Sequence, residues 1–184
     1  FLRAIYRKLK NITLVTGGYS KEEVLKMIFE HDQVMMMGHG SPWGLFSVGQ
    51  FTDVDNSYII DNSMIHLFAN QPNNVYIWCN ADKFVNRHKL QGLYSGMFVS
   101  EVGEAIACQL PPVSQSIVTE SNDSFATWLG DIINDNPLHE VYEYMMYYYK
   151  ILAESNSVAE YNSERLFLSE GGVIRSSKST EYII

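Results

Sequence analysis

Apolar residues in this chain fall into short continuous runs, separated by stretches with helical spacing. Asn11–Gly17 (NITLVTG) is one such run and predicts a strand ending at Gly17-Gly18. Ser20-Lys21-Glu22-Glu23 then has the form of a capping box, with the serine as cap and Glu23 reaching back to it. Val24, Leu25, Ile28 and Phe29 follow at helical intervals, so a helix is expected up to Asp32. Gln33–Met37 (QVMMM) is an apolar run from Val34 onward, closed by Gly38, which suits a strand buried on both faces of a sheet. Gly38-His39-Gly40-Ser41-Pro42-Trp43-Gly44 is too rich in Gly and Pro for regular structure, and Leu45–Phe51 suits a small hairpin. Ile60, Met64, Leu67 and Phe68 share one helical face, which Gln71-Pro72-Asn73-Asn74 breaks. Val75–Trp78 (VYIW) is a second short buried strand and runs directly into Cys79.

Further along, Gly92–Val102 reads partly as strand, centred on Met97, Phe98 and Val99, and Glu101–Cys108 as helix. Ser114–Ile133 and Pro137–Leu152 predict two helices. The second carries Tyr142, Tyr144 and Tyr147-Tyr148-Tyr149, a stripe that fits core or interface better than a ligand box. The Ser-rich stretch from Gly171 predicts a loosely ordered tail over 171–184. The chain is thus expected to form one α/β domain over 1–170, whose part from about 114 is helical. Alternating strands and helices imply right-handed βαβ units around a mostly parallel, doubly wound sheet flanked by helices, with additional helices at the C-terminal end. In such sheets ligands gather at the carboxyl ends of the strands. His39 follows one buried strand and Cys79 another, so neighbouring strands would deliver both side chains to one edge.

Composition narrows the range of functions. The 184 residues carry a net charge of −8, so a nucleic-acid partner is not expected, because phosphate binding needs a basic surface. Hydrophobic residues make up 46% and charged residues 18%, enough to bury a sizeable core. Cys79 and Cys108 are the only cysteines, read as free thiols in a reducing, cytoplasmic compartment, with a single bridge between them as the alternative. No apolar run reaches the roughly 18 residues that crossing a bilayer requires, so no membrane partner is expected. His31, His66, His88 and His139 lack metal-ligand spacing with the cysteines, so no metal and no cofactor are expected. Asp53 and Asp55 alternate as in a calcium loop but lack its glycine and terminal glutamate, and read as a solvated turn. Asp82 reads as a helix cap or as an orienting group near Cys79.

A cysteine attacks as its thiolate, and a nearby imidazole can take the thiol proton and later protonate a leaving amine. The developing oxyanion needs preorganised N–H donors. Gly40 has no side chain to obstruct a carbonyl oxygen, and the N–H of Cys79 is the second candidate. On the segments VMMMGHG and VYIWCNA, the stretch from Thr13 to Ala81 resembles the core of the caspase-like (clan CD) cysteine peptidases, which include caspases, legumains, gingipains and clostripain. That resemblance implies a caspase-like fold, with His39 as general acid/base, Cys79 as nucleophile and Gly40 as an oxyanion donor. The sequence departs from the family pattern at Trp78, where a small residue usually precedes the nucleophile, and Phe1–Leu9 is a poor match to the family's further central strand.

The resemblance also places Ser95–Glu104 (SGMFVSEVGE) at the pocket for the substrate residue before the cleaved bond, with Ser100 and Glu101 as substrate-binding candidates and Glu104 the remaining polar member. A carboxylate there would select a basic residue. The implied partner is a peptide or protein substrate, and the oligomeric state stays open. Two other readings stand beside this one. One is a catalytically silent caspase-like module that binds a peptide or protein. The other is a flavodoxin-like small-molecule binder with a phosphate at Gly17-Gly18-Tyr19-Ser20.

Overall fold

The computed structural model describes residues 2–54 and 57–183. Helices α1 (Arg3–Tyr6) and α2 (Lys21–Phe29) precede strand β1 (Met35–Met37). Next come strands β2 (Gly40–Ser41), β3 (Gly44–Phe46) and β4 (Tyr58–Ile60), then α3 (Ile65–Phe68), β5 (Val75–Ile77), α4 (Ala81–His88) and β6 (Gly92–Ser95). The C-terminal part holds α5 (Val102–Ala107), α6 (Gln115–Ile132), α7 (Leu138–Leu152), α8 (Ser157–Ser163), β7 (Leu166–Glu170), β8 (Val173–Ser176) and β9 (Ser179–Ile183).

The main sheet has the order β1-β5-β6-β7-β8-β9, and β2-β3-β4 form a smaller one. Strand β5 pairs in parallel with both β1 and β6, whereas β6–β7, β7–β8 and β8–β9 are antiparallel. The protein is therefore α/β with a mixed sheet, parallel only in its first half. The apolar run VYIW is explained by burial on both faces. Val75 and Ile77 pack with Ile5 of α1, Phe125 and Leu129 of α6 and Val141 and Met145 of α7. Tyr76 and Trp78 point the opposite way, towards Val24 and Ile28 of α2, Phe68 of α3 and Phe84 of α4. On that second face Phe68, Tyr76, Trp78 and Phe84 form a chain of edge-on aromatic contacts with centroids 5.9, 5.8 and 5.6 Å apart. Such pairs contribute about 0.5–1.5 kcal/mol each beyond their burial, so the floor beneath the end of β5 is stiff.

The capping box at Ser20 forms as the sequence predicts. The Ser20 N–H donates to Glu23 Oε2 at 2.7 Å, and the Glu23 N–H donates to Ser20 Oγ at 3.1 Å. Other segments differ from expectation. Residues 11–17 form no strand, and Ile12 and Leu14 remain 44% and 49% exposed. The hairpin after β1 spans Gly40–Phe46 rather than Leu45–Phe51, because the turn sits at Pro42-Trp43. Strand β6 stops at Ser95, and Met97–Val99 belong to a loop held from the side: Asn162 accepts from the Val99 N–H at 2.8 Å and donates to its carbonyl at 3.0 Å.

The helical part does not extend to 170, because β7 joins β6 antiparallel. Within the segment 171–184, expected as a loose tail, residues 173–183 instead supply β8 and β9, and Ile184 lies outside the described residues. Gly171 and Gly172 make the β7–β8 turn at φ 58° and 82°, the positive values that a two-residue hairpin turn requires. The Gly-Gly pair and the β-branched Val173 and Ile174 behind it favour this hairpin despite the serines of the segment.

Candidate functional site

The register of the first parallel pair positions the site. Met35, Met36 and Met37 lie opposite Val75, Tyr76 and Ile77, and the Gly38 N–H continues the ladder to the Ile77 carbonyl at 3.0 Å. His39 and Cys79 each stand two residues beyond the last pair, Met37 and Ile77, and so leave the sheet at the same end. His39 is exposed and Cys79 half-buried, and no hydrogen bond joins ring and thiol among the described residues.

The turn after His39 is fastened to β5 by Trp78, the residue that departs from the family pattern. Its indole is buried, and its Nε1–H donates to the Ser41 carbonyl at 3.1 Å. Gly40 lies flat on this ring: a Cβ there would stand 2.3 Å from Trp78 Cδ1 and 2.7 Å from the Gly44 carbonyl oxygen. Only glycine allows that approach. On the outer side, Arg87 stacks 4.0 Å over the Trp43 ring and donates to the Pro42 carbonyl at 3.0 Å.

The same hairpin decides where the Gly40 N–H points. The Phe46 N–H donates to the His39 carbonyl at 2.9 Å, which makes 39 and 46 a hydrogen-bonded pair. Gly40 and Leu45, the next pair, must then be a non-hydrogen-bonded one. The Gly40 N–H therefore turns away from β3. The Cys79 N–H faces its own sulfur and favours the thiolate.

A carboxylate opposes that effect. Glu104 Oε1 lies 3.9 Å from Cys79 Sγ. Its other oxygen, Oε2, accepts from the Ser100 N–H at 2.7 Å, the Ser100 hydroxyl at 2.9 Å and the Glu101 N–H at 3.2 Å. Ser100 is held in turn, since Asn122 donates to its carbonyl at 2.8 Å. Burial first, and then the negative charge of Glu104, push the Cys79 thiol up to about 11, with a smaller push from Cys108.

The expected substrate-binding pair thus divides. Ser100 is committed to Glu104, Glu101 is exposed at the start of α5, and Glu104 is the carboxylate that meets the thiol. The spacing Glu101-Val-Gly-Glu104 marks a cap in the sequence, but only the tertiary contact of Glu104 with Cys79 shows which carboxylate faces sulfur. Asp82, in the first turn of α4, has Oδ1 buried without a hydrogen-bond partner among the described residues, and burial raises its pKa.

Other candidates have structural partners. Asp53 accepts from the Lys21 N–H at 2.8 Å, and Asp55 lies outside the described residues. His31 bonds the Met27 carbonyl through Nδ1 and Thr13 Oγ1 through Nε2, and His88 packs edge-on against Phe84. Among the described residues, no three His, Cys, Asp or Glu side chains are grouped to hold a metal ion. The Gly17–Ser20 segment offers little cradle for a phosphate: the Gly18 N–H is taken by the Gln50 carbonyl at 2.8 Å and the Ser20 N–H by Glu23. No helix among the described residues is long and apolar enough to cross a membrane. No family model, curated protein or solved structure matches the chain.

Proposed function

We propose that the protein is a caspase-like cysteine endopeptidase in which Cys79 is the nucleophile and His39 the general acid/base. The observation that carries this reading is the β1–β5 register, which sends imidazole and thiol out of the same end of two adjacent parallel strands. The resting thiol is protonated near neutral pH, since its pKa is held at about 11. The His39 imidazole takes this proton as Sγ attacks the scissile carbonyl carbon. The oxyanion is received by the N–H groups of Gly40 and Cys79. The C–N bond then breaks, the imidazolium gives its proton to the leaving amine, and water hydrolyses the Cys79 thioester. Glu104, with Glu101 beside it at the mouth of α5, favours a basic side chain before the cleaved bond. Two free cysteines fit a reducing compartment, and we place the protein in the cytoplasm.

A catalytically silent peptide-binding module is the second reading, favoured by the carboxylate set against the thiol. One experiment separates the two. A peptide chloromethyl ketone ending in arginine should label Cys79 at least ~100-fold faster than Cys108, by peptide-mapping mass spectrometry, and His39→Ala should remove most of that difference near neutral pH. Equal, slow labelling of both cysteines would discard the peptidase and leave the silent module.

A further inference from the structure

The proposed reaction gives a substrate a direction across the strand ends. The His39 imidazole protonates the leaving amine, so the residues after the cleaved bond lie on the His39 side of the thiol. Those before it lie towards Glu104, which reaches Cys79 from the segment that follows β6. In the sheet order β1 stands last, beside β5. Beyond His39 the substrate therefore passes off the open edge of β1.

A cleft of about 670 Å³ straddles that edge and reaches His39. Its lining draws on both faces of the sheet, from Ile133 on one to Met27 and Ile28 on the other. At the His39 end the lining is apolar: Met37 comes from β1, Leu45 and Phe46 from β3, and Val48 from the loop beyond. Phe46 is fixed in place, since its N–H holds the His39 carbonyl at 2.9 Å and its ring stacks on Tyr58 with centroids 5.0 Å apart. Asp32, the acidic residue of the lining, precedes β1 and so lies at the opposite end of the strand.

Val48 stands at the mouth. Its φ is 47°, in the left-handed region where a β-branched residue is strained, and its side chain is 51% exposed. The fold gains little burial from that side chain, and strain of this kind gathers at ligand-binding positions. Bonds on either side hold it there: the Ser47 N–H donates to the Ser57 carbonyl at 2.8 Å, and the Gln50 carbonyl accepts from the Gly18 N–H at 2.8 Å. Four of the eight methionines, Met27, Met35, Met36 and Met37, line the cleft. Thioether side chains adapt to varied shapes, so such a wall reads apolar character rather than one particular side chain.

We propose that this cleft receives the substrate residues that follow the cleaved bond and selects apolar ones. The inference rests on the reading of His39 as acid/base and Cys79 as nucleophile. The substrate then presents a basic residue towards Glu104 and an apolar segment past His39.

Fluorescence anisotropy on the Cys79→Ala protein tests the cleft without requiring catalysis. Two labelled peptides share the same residues up to an arginine and continue with Leu-Ile in one and Asp-Ser in the other. The Leu-Ile peptide should bind at least about tenfold tighter, the usual size of discrimination by an apolar pocket. Val48→Asn introduces a residue that tolerates positive φ, and Met37→Gln keeps the length of the side chain, so both turn the lining polar with little disturbance to the backbone. Each should cut the preference about threefold or more. Chloromethyl ketone labelling of Cys79 reads the peptidase chemistry separately, because that reagent carries nothing beyond its arginine. Equal affinity for the two peptides, or binding of neither, would overturn the cleft assignment even where Cys79 labels fast. A preference unchanged in both variants would overturn it as well.

Discussion

Replacing Glu104 by Gln isolates the charge that faces the nucleophile. Glutamine keeps an acceptor for the Ser100 N–H and hydroxyl while removing the negative charge 3.9 Å from Cys79 Sγ. Two unit charges about 4 Å apart interact by about 1 kcal/mol in bulk water and about 4 kcal/mol at an effective dielectric near 20. Cys79 is only half-buried, so solvent screening brings the value to about 1–2 kcal/mol, or roughly one pKa unit. The sign is downward: without the carboxylate, the thiolate is less disfavoured and the thiol releases its proton at lower pH. The thiolate fraction near neutral pH then rises about tenfold. A less basic thiolate is also a weaker nucleophile, with a Brønsted coefficient of about 0.4–0.5, so the net gain in alkylation rate is about three- to fourfold. The assay is iodoacetamide labelling from about pH 7 to 12 in a Cys108→Ser background, a range that spans the wild-type midpoint near 11 and its downward shift. An unchanged rate and an unchanged midpoint in Glu104→Gln would refute the claim that this carboxylate governs the thiol.

Two further substitutions probe the scaffold. Gly40→Ala forces a Cβ against the Trp78 ring and the Gly44 carbonyl, and should cost about 1–3 kcal/mol in urea unfolding, with peptide-electrophile labelling of Cys79 lost as the hairpin shifts. Retention of both stability and labelling would show that the close approach to Trp78 is not a constraint. Asn162→Ala leaves the buried N–H and carbonyl of Val99 without partners and should destabilise the fold by about 2–4 kcal/mol, read from the urea midpoint at constant m-value.

The local elements around the site were legible because burial and capping are written in short stretches of chain. VYIW, apolar throughout, declared a strand covered on both faces; QVMMM declared the strand β1, though as an edge strand whose Met35 and Met37 stay partly exposed; and Ser20 to Glu23 declared a helix start. Two strands each followed by a reactive residue were enough to pair His39 with Cys79 as an expectation, and the register places both at one end of the sheet.

What lay outside the sequence was every relation that depends on a distant partner. Nothing local distinguishes Glu104 from Glu101: the former meets sulfur because α5 is laid beside the end of β5 and Asn162 clamps the loop at Val99. Trp78 looks like a misfit until the hairpin folds over it and places Gly40 on its ring. Residues 11–16 have the composition of a strand yet stand off the sheet, because a strand exists only when a neighbour's backbone completes its hydrogen bonds. The sequence by itself determined the strands β1 and β5, the helix start at Ser20, and which residues would stand at the strand ends. The tertiary structure decided what those ends touch, because contacts between segments are set by packing in three dimensions and leave no mark on the residues to either side.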